Sequence, residues 1–364
     1  MIIRDPPNFG ELRSLLASEP SAARWREVCD LVNRWDRDEL EHGILSYIVS
    51  HLERWPDHTR LAPRDWVEKK LDGRTVLTWS MARGLDCRGM VLGASLCQRI
   101  PEELIGPKCC VLSAHNAHIG YQEMAILLGN ESIHHLTGLD LSRTPLGNDV
   151  VLSLCSTDLL FNLEQLALAG CRIGNDGLGI LVQADNLPNL RELDLRDSRI
   201  GLLALELLGN APFAPQLRTL DLSDNHLGRH GAQVLTSIPA LRELDVLRLR
   251  HCGLGPEGID ALCDNHRFEH LTTLVLERND IKSRGLTALA RSDIMENVTH
   301  LDLGTNKIGD DGIEALVASP HTGALERIVL QWNPLTARSK ELLDAAGIKH
   351  DLTEEDWENK WMRH

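Results

Sequence analysis

The stretch Leu217–Leu235, LRTLDLSDNHLGRHGAQVL, decides the fold of this chain. Its apolar residues, asparagine and glycines follow the template L-x-x-L-x-L-x-x-N-x-L-G-x-x-G-x-x-x-L. The same pattern returns 27 residues earlier, from Leu190, and 27 residues later, from Leu244. A period in the 20–50 residue range indicates a stacked architecture, because each short unit buries its apolar side only against its neighbours.

The repeat continues at a constant step of 27 residues from Ala82 to a last unit that starts at Leu325, which makes ten units. We number the positions within each unit as slots 1 to 27. Slots 4, 11 and 19 hold a branched aliphatic residue in every unit. The x-L-x-L-x segment alternates as a half-buried strand does, so we expect stacked strands to form a parallel sheet. A helix follows in each unit, for example Asp311 to Ala318.

Two further slots predict how the chain turns after each strand. Slot 9 holds asparagine in four units, Asn225, Asn279, Asn306 and Asn333, and a short polar side chain there can bond the turning backbone. Slot 12 is glycine in eight units, which suits a tight turn with positive φ.

The pattern resembles the leucine-rich repeat family, in the ribonuclease-inhibitor and RanGAP-like variety that carries a helix in each repeat. The resemblance implies an α/β solenoid, a horseshoe with a parallel sheet on its concave side and helices on its convex side. It also allows a function as a regulator in trans of an enzyme, of the GTPase-activating or inhibitory type. Because it covers only the repeat consensus, it assigns no functional residue.

The two ends of the chain do not follow the repeat. Residues 1–81 read as an N-terminal helical module that holds five of the eight tryptophans. We interpret it as a cap over the first repeat, with an adaptor or effector function as the alternative. The array spans residues 82–351, and residues 352–364 predict a C-terminal cap helix with Trp357 and Trp361 on one face.

Composition excludes some classes of partner. The net charge of −15 disfavours nucleic acid, because phosphate backbones are bound by a surplus of Lys and Arg. The start of the chain lacks the apolar core of a signal peptide, and the apolar run Gly43 to Val49 is too short to span a bilayer. Nine cysteines without a C-x-x-C pair indicate buried, reduced thiols, so we expect a cytoplasmic protein.

Catalytic motifs are missing from the sequence, which contains neither a Walker loop nor H-E-x-x-H. His115 and His118 are spaced as metal ligands can be, but two histidines alone do not define a metal site. We predict no cofactor and no metal. The favoured function is therefore a non-enzymatic scaffold for a partner protein, with the trans regulator as the alternative. An enzyme would have to reside in residues 1–81.

The concave face offers the candidate binding site, because slots 5 and 7 point away from the leucine core. The candidate protein-binding residues are Asp194, Arg196, Asp221, Arg248, Arg250, Glu277, Asp302 and Trp332. The first six form what we call the charged strip. Neighbouring strands lie about 4.8 Å apart, so Asp221 should lie beside Arg248, and Arg250 beside Glu277. Either pair could be a surface ion pair that satisfies itself, and Trp332 could instead pack under the C-terminal helix.

Overall fold

The computed structural model describes residues 8–35, 40, 44–71, 76–264 and 268–352. The chain divides into two compact units, one of Met1–Leu146 with Ser156–Leu166 and the other of Gly147–Cys155 with Ala167–His364. Both consist of parallel strands that alternate with helices. The predicted C-terminal cap helix lies outside the described residues from position 353 onward.

The elements follow the chain in order. The strands are β1 Leu61–Ala62, β2 Gly84–Asp86, β3 Val111–Ser113, β4 Gly138–Asp140, β5 Gln165–Ala167, β6 Glu192–Asp194, β7 Thr219–Asp221, β8 Val246–Arg248, β9 Thr273–Val275, β10 His300–Asp302, β11 Arg327–Val329 and β12 Lys349–Asp351. The helices are α1 Phe9–Ala17, α2 Ala22–Val32, α3 Leu45–Leu52, α4 Arg64–Leu71, α5 Ala94–Leu104, α6 Tyr121–Leu128, α7 Asn148–Cys155, α8 Gly174–Leu181, α9 Leu202–Leu208, α10 Gly228–Ser237, α11 Gly255–Cys263, α12 Lys282–Ala290, α13 Asp310–Val317 and α14 Ala337–Ala345.

The repeat fold predicted from the sequence is confirmed. Each of the ten predicted units holds one strand, β2 to β11, at slots 3 to 5. The strands pair in parallel, and each pair joins residues of the same slot. Examples are Leu85 with Leu112 in the first compact unit and Leu193 with Leu220 in the second compact unit. Every slot-4 side chain is at most 2% exposed, because this column faces the helices and forms the core.

The slot-9 asparagines bond the backbone as predicted, and they also join neighbouring repeats. The Asn279 side chain accepts hydrogen bonds from the backbone N–H of Cys252 at 2.9 Å and of Leu254 at 3.3 Å, one repeat earlier. It donates to the carbonyl oxygens of Leu249 at 2.7 Å and Leu276 at 3.0 Å. This amide ladder supplies partners to turns that would otherwise bury unpaired polar groups.

The glycine prediction for slot 12 is only partly right. Gly174 and Gly228 have φ near 60°, but Gly201 has a φ of −113° and Gly309 a φ of −100°. The constant left-handed position is slot 8, where all ten units have positive φ whatever residue they carry. The turn therefore imposes this backbone conformation through stacking rather than through residue type.

Two strands of the sheet were not predicted. β1, within the helical module, pairs in parallel with β2, and β12 pairs in parallel with β11. Their spacing to the neighbouring strand departs from 27 residues, and His350 of β12 pairs with the slot-4 residue Ile328. Gly84 suits the first of these pairings, because a Cβ there would lie 2.5 Å from Leu61 Cδ2.

The N-terminal helices pack around tryptophans. Trp25 and Trp66 meet edge to face with ring centroids 6.4 Å apart. The indole N–H of Trp25 donates to the carbonyl oxygen of Leu61 in β1 at 2.7 Å, and that of Trp66 donates to the Asn33 side chain at 3.1 Å. Because buried indole groups need a polar partner, the first bond ties α2 to the strand that begins the sheet, and the second ties α4 to the end of α2.

Candidate functional site

The candidate site lies on the sheet face opposite the helices, in the unit that contains β6 to β12. Along β6, β7, β8 and β10 the slot-5 residues are Asp194, Asp221, Arg248 and Asp302. The register places Asp221 directly beside Arg248 and Arg248 beside Val275, as the sequence predicts. This row presents two acids, one base, one apolar residue and one acid across five neighbouring strands.

The slot-5 aspartates have a structural task that sequence reasoning missed. The carboxylates of Asp194, Asp221 and Asp302 each accept a hydrogen bond from the backbone N–H two residues later, at 2.9–3.0 Å. Such a bond is the ordinary local contact of aspartate at a turn. The recurrence of aspartate before the turn is the signal that could have revealed it. These carboxylates therefore stabilise the turn that follows each strand.

Arg196 organises the first part of the charged strip. Its guanidinium lies 2.7 Å from the Asp194 carboxylate, and its Nε lies 3.4 Å from Asp221 Oδ2 on the next strand. Asp221 is 6% exposed whereas the Arg196 side chain is half-exposed. Because Asp221 and Arg248 are paired in the sheet register, an ion pair between them was expected. Among the described residues their charged groups do not come within 4.0 Å of each other, because the Asp221 carboxylate turns toward Arg196.

Arg250 and Glu277 form the other predicted pair, with Arg250 Nε 3.0 Å from Glu277 Oε2. The Nε–H nevertheless makes no hydrogen bond within the described residues, so this contact rests on charge rather than on a well-aligned bond. Both side chains are partly exposed, and an ion pair of this kind contributes about 0–1 kcal/mol.

Burial raises the pKa of two carboxyls of the site. The pKa of Asp221 is raised by desolvation and by the charge of Asp194, which outweigh the hydrogen bond to Ser223 and the charge of Arg196. Desolvation likewise raises the pKa of Asp302, against the bond from Gly304 and the nearby charge of Arg250. Both acids thus hold protons more tightly than a solvated aspartate does.

Arg248 differs from the other charged residues of the strip. It is partly buried at the end of β8, between Asp221 of β7 and Val275 of β9. Within the part of the chain that the structure describes, its guanidinium has no ion-pair partner within 4.0 Å. A guanidinium carries five N–H donors in a planar fork, so Arg248 retains its full capacity to bind a carboxylate.

Trp332 follows β11, three residues after Val329, and stands apart in the chain from the charged strip. It occupies slot 8 with a φ of 62°, and its side chain is 39% exposed. A bulky residue seldom adopts this left-handed conformation. Trp332 is therefore an exposed residue of the turn after β11, and the predicted C-terminal helix lies outside the described residues.

The cysteines and one acidic cluster do not add a catalytic centre. All nine cysteines are free, and seven are buried. Burial raises the pKa of Cys87 and Cys252 to about 12, which keeps these thiols protonated at neutral pH. Among the described residues, the grouping that could hold a metal ion is Asp293, Glu296 and His321. The two acids are exposed, and His321 Nδ1 already lies 3.1 Å from Glu296 Oε1, so we assign it no metal.

Comparisons with known proteins identify the repeat. Five segments match the family model described as Leucine Rich repeat: residues 160–179, 215–235, 241–263, 269–290 and 295–317. A chain in the structure of the Rad7 and Elc1 complex in yeast matches with a TM-score of 0.50 and 13% identity, over 93% of this chain and 96% of that chain. An internalin (inlF) from Listeria monocytogenes matches with a TM-score of 0.45 and 14% identity, over 82% of this chain and 97% of that chain.

The match to the family model establishes the repeat type but not its subtype. The finer resemblance to ribonuclease inhibitor and RanGAP stays a prediction. No curated protein matches the chain in sequence. Within the described residues, no helix has the length and apolar character needed to cross a membrane.

Proposed function

This chain is a leucine-rich repeat protein, and from that premise we propose that it is a non-enzymatic scaffold that binds a partner protein. Proteins of this class are typically interaction proteins, because stacked repeats present a long, regular surface rather than an enclosed site. We place the binding surface on the sheet face, across the charged strip and Asp302. We place the protein in the cytoplasm, a proposal that the nine free cysteines support.

The observation that carries the proposal is that Arg248 has no ion-pair partner within the described residues. Its neighbours on both sides leave it without a carboxylate, since Asp221 is engaged by Arg196 and Val275 is apolar. A partly desolvated arginine that the described residues leave unpaired is a strong anchor for an acidic group of a partner. We therefore propose that an acidic side chain of the partner pairs with Arg248, flanked by Arg250.

The Rad7 and Elc1 structure is of a complex, but 13% identity supports a common fold alone. The partner of this chain thus has to be found by experiment. Trp332 is a second proposed contact, since exposed tryptophans are enriched among residues that dominate binding energies.

The test is affinity capture with the tagged chain, identification of the captured protein, and measurement of its affinity by calorimetry. The double charge reversal Arg248→Glu with Arg250→Glu should abolish capture while the circular dichroism spectrum stays unchanged. Truncating one partner of a buried charge contact costs about 2–5 kcal/mol, and reversal should cost no less.

Arg291→Glu is the matched control, because Arg291 is exposed at the end of α12 and away from the strands. It should leave affinity unchanged. If the Arg248 and Arg250 reversal binds the partner as well as the wild type, the sheet face is not the binding surface and the proposal is wrong.

A further inference from the structure

A base, an apolar residue and an acid follow one another across three neighbouring strands of the sheet face. Arg248 ends β8, Val275 ends β9 and Asp302 ends β10. The register pairs Val275 with Arg248 on one side and with Asp302 on the other. Because the three residues occupy the same slot, their side chains project from the same face of the sheet. We call them the triplet.

Asp302 is the acidic counterpart of Arg248. Its carboxylate accepts a hydrogen bond from the N–H of Gly304 at 2.9 Å, and among the described residues it takes part in no ion pair. Gly304 leaves the space beside this carboxylate without a side chain, since a Cβ there would lie 3.4 Å from Asp302 Oδ1. Each end of the triplet therefore carries a charge that no described residue pairs within 4.0 Å.

The strands on either side of the triplet carry charges that are already paired. On β7, Asp221 Oδ2 lies 3.4 Å from Arg196 Nε. On β11 the slot-5 residue is the apolar Val329, and Arg327 of the same strand lies 2.7 Å from Asp351 of β12. The triplet is thus bounded on both sides by groups whose charges are met within the chain.

The groups beside Asp302 leave one negative charge in excess. Arg250 lies 3.0 Å from Glu277, and the charge of Arg250 also acts on Asp302. His300, two residues before Asp302, lies with its Nδ1 2.9 Å from Thr299 Oγ1 and adds no charge in its neutral form. The one base and two acids therefore sum to a single negative charge at the β10 end of the triplet, opposite the base at its β8 end.

The spacing of the two charges selects a helix as the complementary shape. Neighbouring strands are about 4.8 Å apart, so the base and the acid of the triplet are separated by two strand spacings, about 9.6 Å. In an α-helix, residues seven apart lie on one face about 10.5 Å from each other, with the residues three and four positions along between them. In an extended strand, residues on one face are about 6.7 Å or about 13.4 Å apart, and neither distance matches.

We propose that the partner protein contacts the triplet with an α-helix that carries an acid and a base seven residues apart and an apolar residue between them. The acid pairs with Arg248, the apolar residue packs on Val275, and the base pairs with Asp302. This inference rests on the proposed function and specifies the chemistry of the partner. A helix that offered acids alone would set a like charge against Asp302, which complementary surfaces avoid.

The first test is selection of binders to the full chain from two phage-displayed libraries, one of helical scaffolds with a randomised outer face and one of unstructured peptides. The helical library should yield binders with an acid and a base seven residues apart and an aliphatic residue three or four positions from the acid. Helical binders without this charge pair, binders from the unstructured library alone, or no binders at all overturn the proposal.

Reversing one end of the triplet should change the pattern that is selected. The variant Arg248→Glu presents an acid at both ends, so the helical library should yield binders with two bases seven residues apart. Selection of the wild-type pattern against this variant would show that Arg248 does not receive the acid, and it would overturn the proposal.

The role of Asp302 is tested with a variant that keeps its turn. Asp302→Asn removes the charge but retains a side-chain oxygen for the N–H of Gly304. A helical binder selected on the wild type should bind this variant at least about fivefold more weakly in calorimetry. Asp140→Asn is the matched control, because Asp140 ends β4 and accepts the same bond, from the N–H of Ser142 at 2.9 Å. It should leave the affinity unchanged, whereas an unchanged affinity of Asp302→Asn overturns the proposal.

The outcomes separate this proposal from the proposed function. If the Arg248 and Arg250 reversal abolishes capture of the partner but the selected helices lack the charge pair, the sheet face is the binding surface and the helix proposal is wrong. If the selected helices carry the charge pair but the reversal leaves capture unchanged, the proposed function is wrong, and the preference of the triplet for such a helix stands.

Discussion

Replacing Asn279 with alanine tests whether the amide ladder holds neighbouring repeats together. Asn279 is 1% exposed, and its side chain is the hydrogen-bond partner of three buried backbone groups: the N–H of Cys252, the N–H of Leu254 and the carbonyl of Leu249. The carbonyl of Leu276 keeps its bond from Asn306 at 2.9 Å, so it is not orphaned by the change.

The magnitude follows from these three groups. Each buried polar group that loses its partner costs about 1–3 kcal/mol, so their low-end sum is about 3 kcal/mol. We expect Asn279→Ala to lower the free energy of unfolding by about 3–5 kcal/mol, because water can enter the small space and recover part of the loss.

Two further variants test whether the loss of stability comes from the hydrogen bonds of Asn279 or only from the removal of an amide side chain. Asn175 is exposed and accepts a single bond, from the N–H of Gly201 at 2.7 Å, so Asn175→Ala should cost less than about 1 kcal/mol. Asn279→Cys should be milder than alanine, since Cys252 already occupies this slot and its thiol lies 3.3 Å from the Leu222 carbonyl.

The assay is urea unfolding followed by circular dichroism, with the slope of the transition checked for each variant. An Asn279→Ala loss below about 1 kcal/mol, or equal losses for Asn279 and Asn175, would refute the ladder as a source of stability. A cysteine variant as unstable as the alanine variant would show that a thiol does not replace the hydrogen bonds of the amide at this slot.

Two other predictions concern the core and the site. Leu220→Ala and Leu301→Ala should each cost about 2–5 kcal/mol in urea unfolding, because both side chains are at most 2% exposed; a loss below about 1 kcal/mol would contradict their place in the core. Burial raises the pKa of Asp221, so stability from this group is present when it is protonated and is lost as pH rises through its folded pKa. Any stability advantage of Asp221→Asn over the wild type should thus be largest at neutral pH and shrink on acidification, and thermal melts that show the opposite trend would refute this.

Most of the repeat array was predictable from the sequence, and so was the position of every repeat strand. The reason is that each unit contacts only its neighbours, so a leucine such as Leu193 meets its counterpart Leu220 at a fixed offset. The same locality explains why the bonding task of Asn279 could be predicted from one slot. Of the predicted site residues, Asp194, Asp221, Arg248 and Asp302 lie at the last position of their strands, as the slot pattern indicated. Arg196, Arg250, Glu277 and Trp332 lie in the turns that follow the strands.

The partners of charged side chains were decided only by the tertiary structure. Register placed Asp221 beside Arg248, yet its carboxylate pairs with Arg196, because a long flexible arginine selects among several nearby acids. β1 and β12 were missed because β1 has only two residues and β12, with the sequence Lys-His-Asp, has no apolar residue, so neither shows the alternation that signals a strand. The exposure of Leu202 and Leu207 likewise depended on Gly231 and Gly179 of the neighbouring helices, which no single repeat reveals. The sequence by itself thus determined what repeats, since periodic burial is local, whereas the structure decided which side chains are left without a partner.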